Sequence, residues 1–415
     1  MTAGIAAYER HDYQAALQAL RPSADRGDAS AQFMMGYMYA HGEGVMQDYT
    51  HAARWFLRAA EQGNPAAQFN LGVLYDEGLG VKQDYTEAAR WFRPAAHLGS
   101  AAAQLNLGLL YTQGHGVSHD GVKQLCTRPP LTFLVPRHYF LAICDMTSNE
   151  PRYAAEAARW FRRAADQGNA IAQVNLGHLY TTGQGVVQDY GEAARWYQQA
   201  ADQGNERAQF NLGLMYALGH GVPPSYVKAG QWYRRAADQG SSLAQVNLAL
   251  LYAKGQGVPQ DFLEAARWFR QAADKGNAVA QAHLGTMYAK GHGMSQDPAE
   301  AARWYRLAAN QGNAGAQLNV GLLYARGQGV KQDYREAERW FRLAAEQGET
   351  TAQVNLGLLY AKGDGIARNY VEAYVWFSRV LAQGRKDALV LRRALATKMT
   401  PLQTVEADKL LNETG

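Results

Sequence analysis

The sequence predicts an all-α solenoid, a superhelix of about nine helix–turn–helix units of 36 residues with a cap at each end. Three observations carry that expectation. Trp55, Trp91, Trp160, Trp196, Trp232, Trp268, Trp304, Trp340 and Trp376 keep one register, with seven of the eight gaps at 36 residues and the other at 69. Glutamines, each preceded by an alanine, keep the same beat at Gln32, Gln68, Gln104, Gln173, Gln209, Gln245, Gln281, Gln317 and Gln353. Within each period, apolar residues recur at helical spacing in two blocks with glycine-bearing turns between them. A fixed internal period of this length means stacked supersecondary units, each burying its apolar face against the next.

The opening residues, 1–28, read as a cap or partial repeat. Tyr8 and the segment from Asp12 to Leu17 imitate a later helix, but no tryptophan follows. Residues 29–120 then hold three repeats, the third interrupted; 121–152 are an insert; 153–384 complete the third and carry the rest; 385–415 form a helical cap.

The clearest copy runs from Asn64 to Gly99. In its first helix Ala67, Leu71, Leu74 and Tyr75 fall at offsets 0, 4, 7 and 8, one stripe of an α-helix. Gly72 lies in that stripe, where a glycine costs about 1 kcal/mol against alanine. Its recurrence at Gly36, Gly108, Gly177, Gly213, Gly285, Gly321 and Gly357 therefore implies close approach of the partner helix, and Ala249 stands there once. Gly78 and Gly80 supply the positive φ values of a C-cap and a tight reversal. Asp84 follows as N-cap with Glu87 completing a capping box, a pairing repeated at Asp189/Glu192, Asp261/Glu264, Asp297/Glu300 and Asp333/Glu336. The second helix places Ala88, Trp91, Phe92, Ala95 and Ala96 on one stripe, with Glu87 and Arg90 outside. Asn64 caps the next unit, with Pro65 at N1.

These residues resemble the Sel-1-like repeat, a relative of the tetratricopeptide repeat. The blocks are Leu71-Gly72-x-x-Tyr75 and Ala88-x-x-x-Phe92-x-x-Ala95, with a stretch between them about four residues longer than in the tetratricopeptide pattern. The resemblance implies a right-handed superhelix whose first helices line a concave face that touches bound peptide. Cysteine-rich relatives linked to β-lactam binding carry a cysteine pair in each repeat; these repeats have none, so that activity is not carried over.

The insert departs from the pattern. Asp120 is not followed by the Tyr-x-Glu-Ala-Ala block, which appears only at Tyr153. A decayed tenth copy, an inserted loop and a damaged coding stretch all fit the intervening residues, and Pro129, Pro130, Pro136 and Pro151 predict irregular structure and a hinge. Beyond the repeats, the spacing predicts a second helix from Val371 to Gln383, a helix from Asp387 to Ala396, and another from Pro401 through Leu411 with Thr400 as N-cap.

Several function classes are disfavoured. The net charge of +4 comes mostly from arginines spread one per repeat, which is no basic patch and argues against nucleic acid. Cys126 and Cys144 both lie in the insert, so no disulfide framework is expected. No apolar run reaches the roughly 18 residues that span a bilayer. The opening MTAGIAAYERHDY lacks an export signal, so a cytoplasmic location is expected as written, and a periplasmic or secreted one if the true start lies upstream. The turn Gly78-x-Gly80 closes a helix instead of opening one after a strand, which is not a phosphate cradle. His115, His119, Cys126, His138 and Cys144 offer zinc ligand types without the close pairing that zinc sites favour. No cofactor, metal or catalytic residue is expected.

The inner surface is the better lead. Two residues after the marker glutamine come Asn70, Asn106, Asn175, Asn211, Asn247, Asn319 and Asn355, with Met34 and His283 in the remaining copies. An amide row has the donors and acceptors to grip the backbone of an extended segment; bonding the neighbouring repeat explains the same row. Seven residues further on stand His41, Glu77, Gln113, Thr182, Leu218, Lys254, Lys290, Arg326 and Lys362. The last four are basic, which fits an acidic segment or a terminal carboxylate; cations favoured at a helix C-terminus fit equally. The expected function is a non-catalytic scaffold or adaptor that binds an extended peptide or protein partner, an acidic one if the basic row takes part, with no membrane insertion. The alternatives are a bacterial envelope or polysaccharide-system scaffold, and an enzyme or metal site built on residues 121–152.

Overall fold

The computed structural model describes residues 1–115 and 151–413. The predicted insert as far as residue 150, with His119, Cys126, His138 and Cys144, lies outside the described residues, whereas Pro151, expected in irregular structure, opens helix α8, where a proline in the first turn needs no amide donor. Every regular element among the described residues is an α-helix, and the chain forms two compact units, Met1–Pro224 and Ser225–Gly415.

The first unit runs α1 (Thr2–Glu9), α2 (Tyr13–Asp25), α3 (Ala29–His41), α4 (Tyr49–Glu61), α5 (Pro65–Glu77), α6 (Tyr85–His97), α7 (Ala101–Gln113), α8 (Pro151–Asp166), α9 (Ala170–Thr182), α10 (Tyr190–Asp202) and α11 (Glu206–Leu218). The second runs α12 (Tyr226–Asp238), α13 (Ser242–Lys254), α14 (Phe262–Asp274), α15 (Ala278–Lys290), α16 (Pro298–Asn310), α17 (Ala314–Arg326), α18 (Tyr334–Glu346), α19 (Thr350–Lys362), α20 (Tyr370–Ala382), α21 (Asp387–Ala396) and α22 (Pro401–Glu413). Up to α21, each helix within a unit packs on the one before it and the one after it, the order of an α-solenoid, while α22 returns to pack on α20.

The helix-interior glycines are explained by what faces them. A Cβ on Gly72 would stand 2.6 Å from the Phe92 ring, and one on Gly321 would stand 2.6 Å from Phe341. The aromatic ring of the second helix thus seats directly on the backbone of the first. The turn glycine Gly78 is the left-handed C-cap of α5, with φ 70°. Its neighbour Gly80 has a different duty: a Cβ there would meet the Tyr49 carbonyl carbon at 2.2 Å, so the turn lies against the start of the preceding second helix.

The expected capping box is only half formed. Asp84 Oδ1 accepts from the Thr86 and Glu87 amides, as an N-cap should. The Glu87 side chain does not return to Asp84, because the Asp84 amide already donates to the Tyr75 carbonyl at 2.9 Å. Glu87 accepts from Arg90 instead. The same substitution of partners holds at Asp189, Asp261, Asp297 and Asp333, whose amides donate to Tyr180, Tyr252, Tyr288 and Tyr324. A reciprocal box does occur at α22, where Thr400 Oγ1 accepts from the Gln403 amide and Gln403 Oε1 accepts from the Thr400 amide.

The indoles close the seams. Trp196 of α10 joins the core of Phe161, Leu176 and Leu179 from α8 and α9, and Trp376 of α20 joins Phe341, Leu356 and Leu359 from α18 and α19. Trp196 and Trp376 are therefore buried between the second helix of the preceding repeat and the first helix of their own, whereas Trp91 and Trp232 are only half-buried. The third pair forms from both sides of the insert: α7 packs on α8, Gly108 faces the Phe161 ring, and Gln167 Nε2 donates to Gln104 Oε1 at 2.8 Å.

Candidate functional site

The first helices are held in register by the marker glutamines, which are buried. Gln317 Nε2 donates to the Ala309 carbonyl of the preceding α16, and Gln317 Oε1 accepts from Gln347 Nε2 at the end of α18. One amide therefore links three successive helices. The second half of this clasp recurs from Gln62 to Gln32, Gln203 to Gln173, Gln311 to Gln281 and Gln383 to Gln353. It fails where residue 98 is leucine and residue 275 is lysine, and there Gln68 Oε1 and Gln245 Oε1 are buried without a partner. In the sequence these glutamines show only as a beat. The signal that would have given their role was the second glutamine 30 residues downstream.

With the helices fixed, offsets of 0, 4, 7 and 11 share one face. On α17 these positions are Gly315, Asn319, Leu322 and Arg326; on α13 they are Leu243, Asn247, Leu250 and Lys254. On α15 they are Val279, His283, Thr286 and Lys290, and on α19 Thr351, Asn355, Leu358 and Lys362. The asparagines are half-buried and the four cations exposed, which makes an alternation of small or apolar, amide, apolar and positive positions. In the first unit Asn70, Asn106, Asn175 and Asn211 are likewise half-buried at the matching places on α5, α7, α9 and α11. The residue between amide and cation was not singled out from sequence, although it completes the stripe.

At four positions the amide bonds neither a neighbouring repeat nor a distant group. Asn70, Asn247, Asn319 and Asn355 each donate from Nδ2 at 2.8 Å to the carbonyl four residues earlier in their own helix, Ala66, Leu243, Gly315 and Thr351. The inter-repeat role expected of the asparagines belongs to the glutamines. That local bond orients the amide and uses one of its two N–H groups, while Oδ1 carries acceptor capacity.

Lys254, Lys290, Arg326 and Lys362 are each the last residue of a first helix, directly before a left-handed glycine. They form no ion pair among the described residues, and the helix dipole favours cations there. His283 takes the amide position on α15 and stacks on Phe269 at 4.8 Å. Burial, then the nearby Lys254, holds its pKa below the ordinary histidine value. His178 on α9 is lowered by burial and by Arg207.

A second recurring group ties the edges. Arg234 donates to Tyr252 Oη at 2.6 Å and lies over the Trp268 ring at 4.9 Å. Arg270 repeats this with Tyr288 and Trp304. Beside these, a hollow of about 300 Å³ separates α16 from the turn after α17, lined by Ala302, Arg303, Arg306, Leu307 and Val330. His115 stacks on Tyr85 at 4.2 Å, and burial lowers its pKa. Among the described residues no cluster of histidine, cysteine and carboxylate side chains has the makings of a metal site.

Comparison with known proteins places this geometry. The Sel1 repeat family model matches ten segments, 29–64, 65–100, 101–123, 151–169, 170–205, 206–241, 242–277, 278–313, 314–349 and 350–384. The chain belongs to the Sel1 repeat family. Segments 101–123 and 151–169 of that match supply α7 and α8, the two halves of one Sel1 pair. Among solved structures the chain is similar to c5321, a protective antigen present in uropathogenic Escherichia coli strains and displaying an SLR fold. The identity is 32% over 97% of this chain and 87% of that one, with a TM-score of 0.60. It is also similar to a Sel1 repeat protein from Oxalobacter formigenes, at 34% identity over 82% of this chain and 90% of that one, with a TM-score of 0.60. No curated protein matches. Sel1 repeats generally act as protein-interaction scaffolds and are typically non-catalytic. Among the described residues no helix is long and apolar enough to cross a membrane.

Proposed function

We propose that this Sel1 repeat protein is a non-catalytic scaffold that holds an extended, acidic peptide segment of a protein partner along the face of its first helices. The observation that carries the reading is the stripe repeated on α13, α15, α17 and α19, in which an amide or imidazole, a neutral position and an unpaired cation recur on one face. The amides offer main-chain hydrogen bonds whatever the sequence of the guest, and the cations add a preference for carboxylates. No step of catalysis is required of any of these groups.

The test uses the full chain and a fluorescent polyglutamate peptide. Replacing Lys254, Lys290, Arg326 and Lys362 by glutamate is expected to weaken binding at least tenfold and to remove its salt dependence, with the helical content kept and melting lowered only by the lost helix-dipole interaction of four exposed side chains. Affinity equal to that of the parent chain would refute the acidic preference. Replacing Asn247, Asn319 and Asn355 by alanine is expected to weaken binding while its salt dependence persists; undiminished binding would remove the amides from the site.

A further inference from the structure

α21 and α22 carry protruding apolar side chains beside exposed charged ones. α21 and α22 cover α20 from two sides: Leu395 packs with Ala373 and Phe377, and Ala407 packs with Val371 and Val375. On their outer faces, however, Val390 is 69% exposed, Leu402 77% and Val405 66%. Other apolar residues that protrude as far, Met46 and Val187, stand singly in turns.

The same segment is unusually basic. From Arg385 to Lys398 the sequence RKDALVLRRALATK sets five cations against one acid, a net +4, as large as that of the whole chain. Asp387 is occupied by Arg385, through bonds of 3.0 and 2.5 Å. Arg392 lies over the Tyr374 ring at 5.5 Å. Lys386, Arg393 and Lys398 are exposed and form no ion pair among the described residues. On α22, exposed Glu406 and Asp408 carry the opposite sign, so the attraction is centred on α21.

We propose that α21 and α22 dock the protein on the surface of an anionic lipid bilayer. Unpaired lysine and arginine beside protruding apolar side chains is the combination that an acidic lipid interface takes up: headgroups neutralise the cations while the valines and leucine enter the headgroup–acyl boundary. The apolar residues stand on two separate helices. A fluid interface accommodates them without a matching surface, whereas an acidic protein segment would have to match both. This attachment is peripheral and independent of the peptide face.

The experiment is flotation of the full chain with phosphatidylcholine vesicles, with and without phosphatidylglycerol, at low and high salt. Binding is expected only to the phosphatidylglycerol vesicles, weakening as salt rises. Exchanging Lys386, Arg393 and Lys398 for glutamate should lower the partition coefficient by roughly 100-fold or more, and Val390→Ser with Leu402→Ser and Val405→Ser should lower it without removing the salt dependence. All six side chains are exposed, so circular dichroism should match the parent chain. Glutamate at Lys254, Lys290, Arg326 and Lys362 should leave vesicle binding intact. The proposal is overturned if the parent chain ignores phosphatidylglycerol vesicles, or binds neutral ones equally. It is also overturned if the first-helix variant loses binding while the cap variants keep it, or if the cap captures polyglutamate but no vesicle.

Discussion

Leucine at position 98 leaves a glutamine clasp open, and Leu98→Gln should close it. In six seams the downstream glutamine reaches the marker glutamine with Nε2···Oε1 distances of 2.7–3.2 Å. At the seam of Gln68 the acceptor is buried and unpartnered. An orphaned buried acceptor costs about 1–3 kcal/mol, and ordering a glutamine side chain returns up to roughly 1.5–2 kcal/mol of that. Leu98 is 64% exposed, so its removal sacrifices little burial. The expected net gain is about 1 kcal/mol. Urea titration followed by circular dichroism would measure it, and amide exchange around Gln68 would localise it. The control is a cycle with Gln68→Met, in which the gain should vanish because the acceptor is gone. A variant no more stable than the parent, or an equal gain in the Gln68→Met background, would refute the clasp argument. Lys275→Gln should gain less at Gln245, because Lys275 Nζ already donates to the Gly240 carbonyl at 2.6 Å.

Two further outcomes follow from the packing and the electrostatics. Gly321→Ala places a methyl 2.6 Å from the Phe341 ring; overpacking of about 1–3 kcal/mol against a helix-propensity gain of about 1 kcal/mol leaves a net loss of roughly 1 kcal/mol, read as a lower urea midpoint. His283, whose folded pKa is held below 6.5 by burial and Lys254, favours the neutral ring in the folded state. Its contribution is full above the ordinary histidine value and is lost as pH falls through it towards the lower folded value. His283→Asn, which restores the amide of the row, should flatten the loss of stability on acidification, as measured by urea midpoints at neutral and mildly acidic pH.

Periodicity made the helices legible because it is local. Offsets of 0, 4, 7 and 8 fix which face is apolar and the glycine turns fix where the repeat helices stop, while Thr400 before Pro401 marks the start of the last helix, which emerges as expected together with Asp387–Ala396. Gly72 was legible too, since a costly residue repeated at one register demands a compensating contact, and Phe92 supplies it. What the pattern did not yield was the choice among polar partners. Asp84 and Glu87 have the spacing of a capping box, but only the fold brings the Tyr75 carbonyl to the Asp84 amide and frees Glu87 for Arg90. The glutamine row is complete in nine copies and the asparagine row in seven. Asn70, Asn247, Asn319 and Asn355 turn back on their own helices while the glutamines span helices, a difference that depends on burial and not on order in the chain. The proposed stripe is half visible in the sequence: the amides and cations stand out by type, while Leu250, Leu322 and Leu358 carry no mark that sets them apart from other apolar positions.

The union of α7 with α8 has a consequence for engineering. Residues 114–150 separate two helices that nonetheless meet through a ring-on-glycine seat and a part-buried amide pair. The contacts that join this pair are supplied by the two helices themselves, so they are expected to persist when the linker is replaced. This is the place to graft a reporter domain, or to divide the gene into two fragments that reassemble on co-expression.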